Sequence, residues 1–351
     1  MRRRHARWPS AFPHVTVSKQ FFGMVGVEAQ RKRVLIFGAT GTIGRATVRA
    51  AVDAGHDVTC FLRPTAGAEP PSEQDGATLA YRAVTDPGFG DHPVWGGEPF
   101  DCVISCLASR TGAPDDAWAV DYRANQAIFA AAKAHGVTHV ILLSAICVQK
   151  PRLAFQHAKL AAENELIESG LNYTIARPTA FFKSLSGQID RVIQGKPYLV
   201  FGDGKLTACK PISDRDMGRF LIQCINDETA QNQILPIGGP GPALTPMDQG
   251  THLFALLGRD PKFKHVPLGL MKMIAWCLGT LSKIIPKLAA KAEFARIGTH
   301  YASESMLVWD DITQDYAAGA TPSFGDDTIF DYYAEVIDGK AQVERGDHSF
   351  F

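Results

Sequence analysis

The stretch RKRVLIFGATGTIGRATVRAAVDAGHDVTCFLR, residues 31–63, restricts the fold more than any other part of the chain. Val34 to Phe37 is a continuous apolar run, the pattern of a strand buried on both faces. Glycines follow at once, at 38, 41 and 44. A helix-forming run comes next and stops at Gly55, a natural C-terminal cap. DVTCFL then reads as a second strand. Strand, glycine turn, helix and strand in this order make a βαβ unit, which requires a parallel sheet covered by helices.

The alternation continues. Residues 77–86 read as a third strand and 100–108 as a fourth. An Ala-rich helix spans 119–136, a fifth strand 139–145, and a helix 154–170. The sixth strand, NYTIARPTAFF, ends at Pro178. This pattern predicts an α/β fold: a Rossmann-type doubly wound parallel sheet with right-handed crossovers. After residue 182 the rhythm becomes irregular, with Gly and Pro clustered at 195–204 and 236–246, and PISDRDMGRFLIQCIND supplies one more helix. The expected organisation is a nucleotide-binding domain over 31–182. A smaller C-terminal substrate lobe over 183–351, interleaved with the last sheet elements, covers the C-terminal edge of the strands, where open α/β sheets place ligands. Residues 1–30 are expected to form an extension outside the fold. They are led by Arg2, Arg3, Arg4 and Arg7 and carry no acid before Glu28; they lack the apolar core of a secretory signal.

Lysine plus arginine equals aspartate plus glutamate, 36 each, so nothing points to nucleic acid as a partner. The seven cysteines include no C-x-x-C pair and read as reduced core thiols. No His/Cys/Asp cluster has metal-ligand spacing. The longest greasy stretch, 266–288, is interrupted by Lys272, Lys283 and Lys287 and contains Pro286. It reads first as core or pocket wall; a helix lying on a bilayer surface is the alternative.

Gly38-Ala39-Thr40-Gly41-Thr42-Ile43-Gly44 follows a strand and opens a helix. Glycines let backbone approach a pyrophosphate, and the helix N-terminus offers N–H groups and a positive dipole end. The expected ligand is a dinucleotide. The second strand ends in Phe61-Leu62-Arg63-Pro64, without the acid that grips an NAD ribose. Arg63, with Arg45 behind it, is suited to a 2′-phosphate, so free NADPH is expected rather than NADH or a flavin. Solvated surface arginines remain the plainer reading of both. Asp86, after the third strand, is assigned to the adenine end.

Ser144 ends the fifth strand, and FQHAKL places Phe155 and Lys159 one helical turn apart on one face. This layout resembles the extended or atypical branch of the short-chain dehydrogenase/reductase superfamily. The resemblance implies that Ser144 and Lys159 flank the nicotinamide, with Lys159 on its ribose; Pro178 and Thr179 are grouped with the cofactor site. Phe155 stands where that superfamily carries its proton-donating tyrosine. Reducing a ketone generates an alkoxide and needs an acid beside it. Reducing a carbon–carbon double bond conjugated to a large ring system does not, because the ring spreads the charge. Phe155 therefore argues against carbonyl reduction, not against hydride transfer.

Longer strings carry a narrower likeness. LLSAICVQKP (142–151), RPTAFFKSLSGQ (177–188), GKPYLVFGDGKLTACKPIS (195–213), QILPIGGPGPALTP (233–246), AEFARIG (292–298) and YASESMLV (301–308) resemble the NADPH-dependent divinyl chlorophyllide a 8-vinyl reductases, over roughly residues 31–335. The resemblance implies hydride transfer from NADPH to the 8-vinyl group of a magnesium tetrapyrrole. It also implies a cytoplasmic or plastid setting, with peripheral attachment to photosynthetic membranes left open. Phe181, Phe182 and Trp276 are assigned to apolar walls for the pigment. Lys183, Lys210 or Arg296 are assigned to its carboxylate. His157, Lys159, Tyr173 or water is the proton source. Two other readings stay open: an isoflavone-reductase-like enzyme for small phenolics, and a non-catalytic NmrA-like sensor or photosystem assembly factor that binds the dinucleotide.

Overall fold

The computed structural model describes residues 30–64 and 76–341. The extension expected over 1–30 lies outside the described residues, Gln30 excepted. A seven-stranded sheet organises the chain. Its strands are β1 (Arg33–Phe37), β2 (Asp57–Leu62), β3 (Thr78–Tyr81), β4 (Cys102–Ser105), β5 (His139–Leu143), β6 (Asn172–Pro178) and β8 (Gln233–Ile237), in the order β3-β2-β1-β4-β5-β6-β8. Every pairing is parallel. The order reverses at β1, which opens a crevice between the C-terminal ends of β1 and β4.

Helices cover both faces. On one side α1 (Thr42–Asp53) packs against α7 (Asp214–Asn226). A Cβ on Gly218 would lie 2.6 Å from the Ala46 carbonyl, so only glycine permits this approach. The core here joins Val34, Ile36, Val48, Met217 and Leu221. On the other side, α2 (Pro114–Ala117), a π-helical stretch (Trp118–Ala124), α3 (Asn125–Ala134) and α4 (Ala154–Glu168) bury Leu35, Phe37, Ile128, Phe129 and Leu166.

The third and fourth strands are shorter than their sequence predicts. β3 stops at Tyr81, five residues before Asp86, because its neighbour β2 ends at Leu62, the partner of Tyr81. β4 stops at Ser105, opposite Phe37, the last residue of β1. The helix expected over 119–136 begins as the π stretch and becomes α-helical only at Asn125.

The remaining elements build a smaller lobe with its own core of Phe182, Tyr198, Leu253, Phe254 and Tyr333. They are α5 (Phe182–Leu185), α6 (Ile189–Ile193), β7 (Tyr198–Phe201), α8 (Pro246–Leu256), β9 (Phe263–Val266), α9 (Leu268–Leu281), α10 (Ala289–Tyr301), the hairpin β10 (Val308–Asp310) and β11 (Asp315–Ala317), and α11 (Ile329–Ile337). β7 and β9 pair in parallel. The lobe is fastened to the loop after β5. Glu304 takes Lys150 and Arg152 at 3.0 Å each and accepts the Tyr316 hydroxyl at 2.6 Å, while Lys150 sits 3.8 Å above the Trp309 ring.

The 266–288 run corrects the core reading. Only Ala275 and Gly279 of α9 are buried, because the helix packs along a single stripe against α10. Cys277 is exposed, whereas five of the other cysteines are buried and Cys106 is half-buried. No helix of the described residues is long and apolar enough to cross a membrane.

Candidate active site

The site is assembled from the C-terminal ends of β1, β4, β5 and β6. Gly38 leaves β1 with a φ of +76°, and a Cβ there would sit 2.8 Å from the Cys106 carbonyl. That contact brings the first glycine turn hard against the end of β4. Gly41 N–H donates to the Gly38 carbonyl at 3.0 Å and closes the turn. Among the described residues no side chain caps the first turn of α1, and no acid lies in that turn. An uncapped helix start beside a glycine turn fits the pyrophosphate of a dinucleotide. Burial pushes the Cys106 thiol up to about 12 despite its hydrogen bond with Thr47.

Arg63 lies exposed just past β2, and Arg45 is exposed in the first turns of α1, its Nε donating to the Thr40 carbonyl at 3.0 Å. Asp86 is exposed in the turns after β3. Pro178 and Thr179 are buried where β6 ends, and the Thr179 N–H donates to the Ile237 carbonyl at 2.9 Å. Lys183, assigned to a substrate carboxylate, lies at the glycine turn. Its Nζ donates to Thr42 Oγ1 at 2.9 Å, so the side chain reaches back from the lobe to the glycine turn.

Phe155, Lys159 and Glu163 form one stripe of α4 at i, i+4 and i+8. Phe155 is half-buried. Lys159 Nζ stands 3.0 Å from Asp121 Oδ1, with the carboxylate fully buried. Asp121 comes from the middle of the π stretch, a helical variant common at functional sites. Asn125 pins that stretch: its amide donates to the Asp121 carbonyl at 3.0 Å, and its side-chain oxygen accepts from Ser105 Oγ at 2.6 Å, at the end of β4. Asp121 Oδ1 also accepts the Ser109 N–H at 3.2 Å. Among the described residues its Oδ2 is buried without a hydrogen-bond partner. Asp121, Asn125, Ser144 and Lys159 gather with Leu142 and Ala162 around one small cavity too tight to hold a water.

Ser144 is engaged rather than open. Its hydroxyl donates to Glu163, which also receives the Arg177 guanidinium, with Nε to Oε1 at 3.1 Å. Ser144 and Glu163 are buried, 5% and 1% exposed, so this network fixes the end of β5 against β6 and α4.

The other assigned residues spread out. Tyr173 lies at the start of β6, the opposite edge of the sheet from Pro178, and is too distant to deliver a proton. His157 is exposed on α4. Phe182 belongs to the lobe core against Tyr332, while Phe181 is half-buried where lobe and sheet meet. Lys210, its pKa lowered by burial, is tied to the Thr321 carbonyl at 2.8 Å and to Ser323. Arg296 pairs with Glu293 at 3.2 Å. Trp276 is 71% exposed on α9 and lines no wall of the cavity beside Lys159.

Sequence reading missed Asp121, Glu163 and Arg177. Glu163 had a signal, since it sits one turn beyond Lys159. Arg177 is a lone charge in an apolar strand. Nothing local marks Asp121, because its role depends on the π turn. Among the described residues no group of acidic, His and Cys side chains has the arrangement to hold a metal ion.

Residues 38–228 match the family model described as NAD(P)H-binding. The chain is 46% identical over 331 residues to the chloroplastic divinyl chlorophyllide a 8-vinyl-reductase of Oryza sativa subsp. indica, covering 91% of this chain and 82% of that protein. It is 28% identical to the photosystem II assembly factor Ycf39 of Cyanophora paradoxa, over 68% of this chain and 73% of that one. The fold is shared with the leucoanthocyanidin reductase–NADPH complex of Vitis vinifera, at a TM-score of 0.64 and 19% identity over 87% of this chain and 99% of that one. The glycine turn, the open start of α1 and the extent of these matches lead to one conclusion: the chain belongs to the NAD(P)H-binding divinyl chlorophyllide a 8-vinyl-reductase family.

Proposed function

We propose that this protein reduces the 8-vinyl group of divinyl chlorophyllide a to ethyl with NADPH. The observation that carries the reading is the α4 stripe, in which Lys159 is kept and paired with a buried carboxylate while Phe155 replaces the acid a ketone would need. Membership of a family whose relatives bear that activity in their names supports it.

Bound NADPH supplies a hydride. The chain's own groups do the rest. The glycine turn and α1 hold the pyrophosphate, with the Lys183 ammonium beside Thr42 adding charge. Arg63 and Arg45 meet the 2′-phosphate and set the preference for NADPH over NADH. Lys159 orients the nicotinamide end, and Asp121 holds its ammonium at the cavity. Phe155 offers an apolar surface to a flat ring and keeps water from that side. The hydride adds to the terminal vinyl carbon and the charge spreads into the macrocycle. A proton, held at Lys159 Nζ or delivered by water, then adds to the inner carbon. One hydride and one proton give ethyl, and NADPH is oxidised to NADP⁺.

The test is incubation of the purified chain with divinyl chlorophyllide a and either NADPH or NADH. The expected result is a blue-shifted pigment band and a gain of two hydrogens with NADPH only. Equal turnover with NADH would remove the roles given to Arg63 and Arg45. Dinucleotide binding without any product would move the chain to the non-catalytic reading.

A further inference from the structure

The lobe carries a feature the reaction does not use. Residues 261–292 contain six lysines and no acidic residue. Within them, α9 turns one apolar face outward. Leu270, Met273, Ile274 and Leu281 are exposed on the side opposite Ala275 and Gly279, with Trp276 at the flank. Ile284 and Ile285 extend the face into the following turn, Ile284 at 78% exposure. Lys272, Lys283, Lys287 and Lys291 are exposed around it.

The packing explains why this face is free to point outward. A Cβ on Gly279 would sit 2.9 Å from the Arg296 guanidinium, so α10 lies close along the stripe of Ala275 and Gly279, the two buried residues of α9. α10 is itself anchored. His300 is hydrogen-bonded to Gln156 at 2.9 Å, and Glu293 accepts the Ala154 N–H at 3.4 Å. Both partners sit at the start of α4, the turn that carries Phe155. The exposed apolar face is therefore one helix away from the candidate active site and joined to it through α10.

We propose that α9 and the turn after it dock this protein onto an anionic lipid surface. At 14 residues the helix is about 21 Å long, too short to span a bilayer, which takes about 20 apolar residues. An apolar face ringed by lysines lies in the interface instead, with rings and aliphatic chains inserted and ammonium groups on the headgroups. The charge selects the occupant. A second copy docked through the same face by two-fold symmetry would set lysines against lysines, whereas anionic headgroups complement them. Each lysine near such a surface strengthens binding about fivefold. The inference stands without the vinyl-reductase reading, although a pigment dissolved in lipid would then meet the site from the membrane side.

The experiment is co-sedimentation of the full chain with vesicles of phosphatidylglycerol or of phosphatidylcholine, followed by Trp fluorescence. Binding at least about tenfold stronger to phosphatidylglycerol is expected, with loss of most of it in about 0.5 M salt. The variant Ile274→Glu/Trp276→Glu should lose binding at least about tenfold while keeping the far-ultraviolet circular dichroism and melting temperature of the parent. Because both side chains are exposed, folding should be unaffected; if it is not, Lys283→Gln/Lys287→Gln serves the same purpose and should weaken phosphatidylglycerol binding alone. Absence of binding to either vesicle, equal binding to both, or unchanged binding in the variants would overturn the proposal. So would a dimer in sedimentation velocity that the Ile274→Glu/Trp276→Glu variant dissolves, since a second copy would then be the occupant. Vesicle binding is read without pigment or NADPH, so its failure is separable from a failure of the catalytic reading.

Discussion

Lys159 and Phe155 share one face of α4, and their separate roles can be tested one side chain at a time. Lys159→Met removes the ammonium that, in the proposed reaction, orients the nicotinamide end and can hold a proton. Turnover should fall about 10²-fold or more, with little change in melting temperature. Asp121→Asn keeps the shape and removes the charge 3.0 Å from Lys159. As a positioning residue it should lower kcat about tenfold or more, shift the pH profile of kcat, and leave KM for pigment nearly unchanged; an unmoved pH profile would reduce it to a packing residue. Phe155→Tyr restores the hydroxyl found in ketone reductases. Turnover of the vinyl substrate should stay within about threefold of the parent, because no alkoxide forms; a large gain would mean that an acid is missing after all. Lys183→Ala, by removing the charge next to Thr42, should weaken NADPH binding by about 1.5–3 kcal/mol, measured by titration without pigment. The glycine turn and the Phe155–Lys159 pair were legible because each is a local pattern. The contact of Lys183 with Thr42 was not legible, because the side chain spans 141 positions of sequence, a distance no local pattern reports.

At the scale of elements, the βαβ units were readable because strands buried on both faces are continuous apolar runs and the helices stop at glycines: Gly55, Gly136 and Gly170 all have positive φ. Strand ends were less readable. They are set by where the neighbour ends, as β3 shows beside β2. α9 misled for a related reason. Its composition is that of a core helix, but among the described residues it packs mainly against α10, and only Ala275 and Gly279 are buried. The joint between β5, β6 and α4 depends on the buried Glu163. Glu163→Ala leaves Arg177 without its partner and should cost about 3–5 kcal/mol, read by denaturant unfolding. The joint between lobe and sheet depends on Glu304. Burial pushes its carboxyl up, but hydrogen bonds from Tyr316 and Lys150 and the charges of Arg152 and Lys150 outweigh this and hold it below the usual range. A depressed carboxyl stabilises the folded form above its unfolded pKa, and that stability is lost as pH falls through the folded value. The Glu304→Gln variant should therefore lose part of the parent's stability at neutral pH and show a shallower acid loss.

For the molecule as a whole, acid stability is governed by buried histidines as well. Burial lowers His139 from 6.5 to about 4, and His56 and His300 are lowered too, also chiefly by burial. A histidine lowered in this way takes up its proton first in the unfolded chain. Stability is then complete above about 6.5 and falls as pH drops toward about 4, by ~3 kcal/mol for His139 alone. The urea midpoint should drop over that interval, and less steeply in His139→Gln. The parallel, doubly wound sheet and the use of its C-terminal edge were implied by the alternating pattern of the first half; the strand order, with its reversal at β1, came from the structure. How the lobe wraps that edge was not implied either, because its contacts join residues far apart, such as Lys150 with Glu304. The central claim is hydride transfer to a conjugated double bond without a tyrosine acid. Its most direct test is turnover of divinyl chlorophyllide a with NADPH carrying deuterium at the transferred position, in ordinary water. The proposed reaction requires one deuterium in each product molecule, located on the terminal carbon of the new ethyl group, from the parent chain and from Phe155→Tyr alike. Product without deuterium, deuterium on the inner carbon, or no product from a chain that binds NADPH would contradict it.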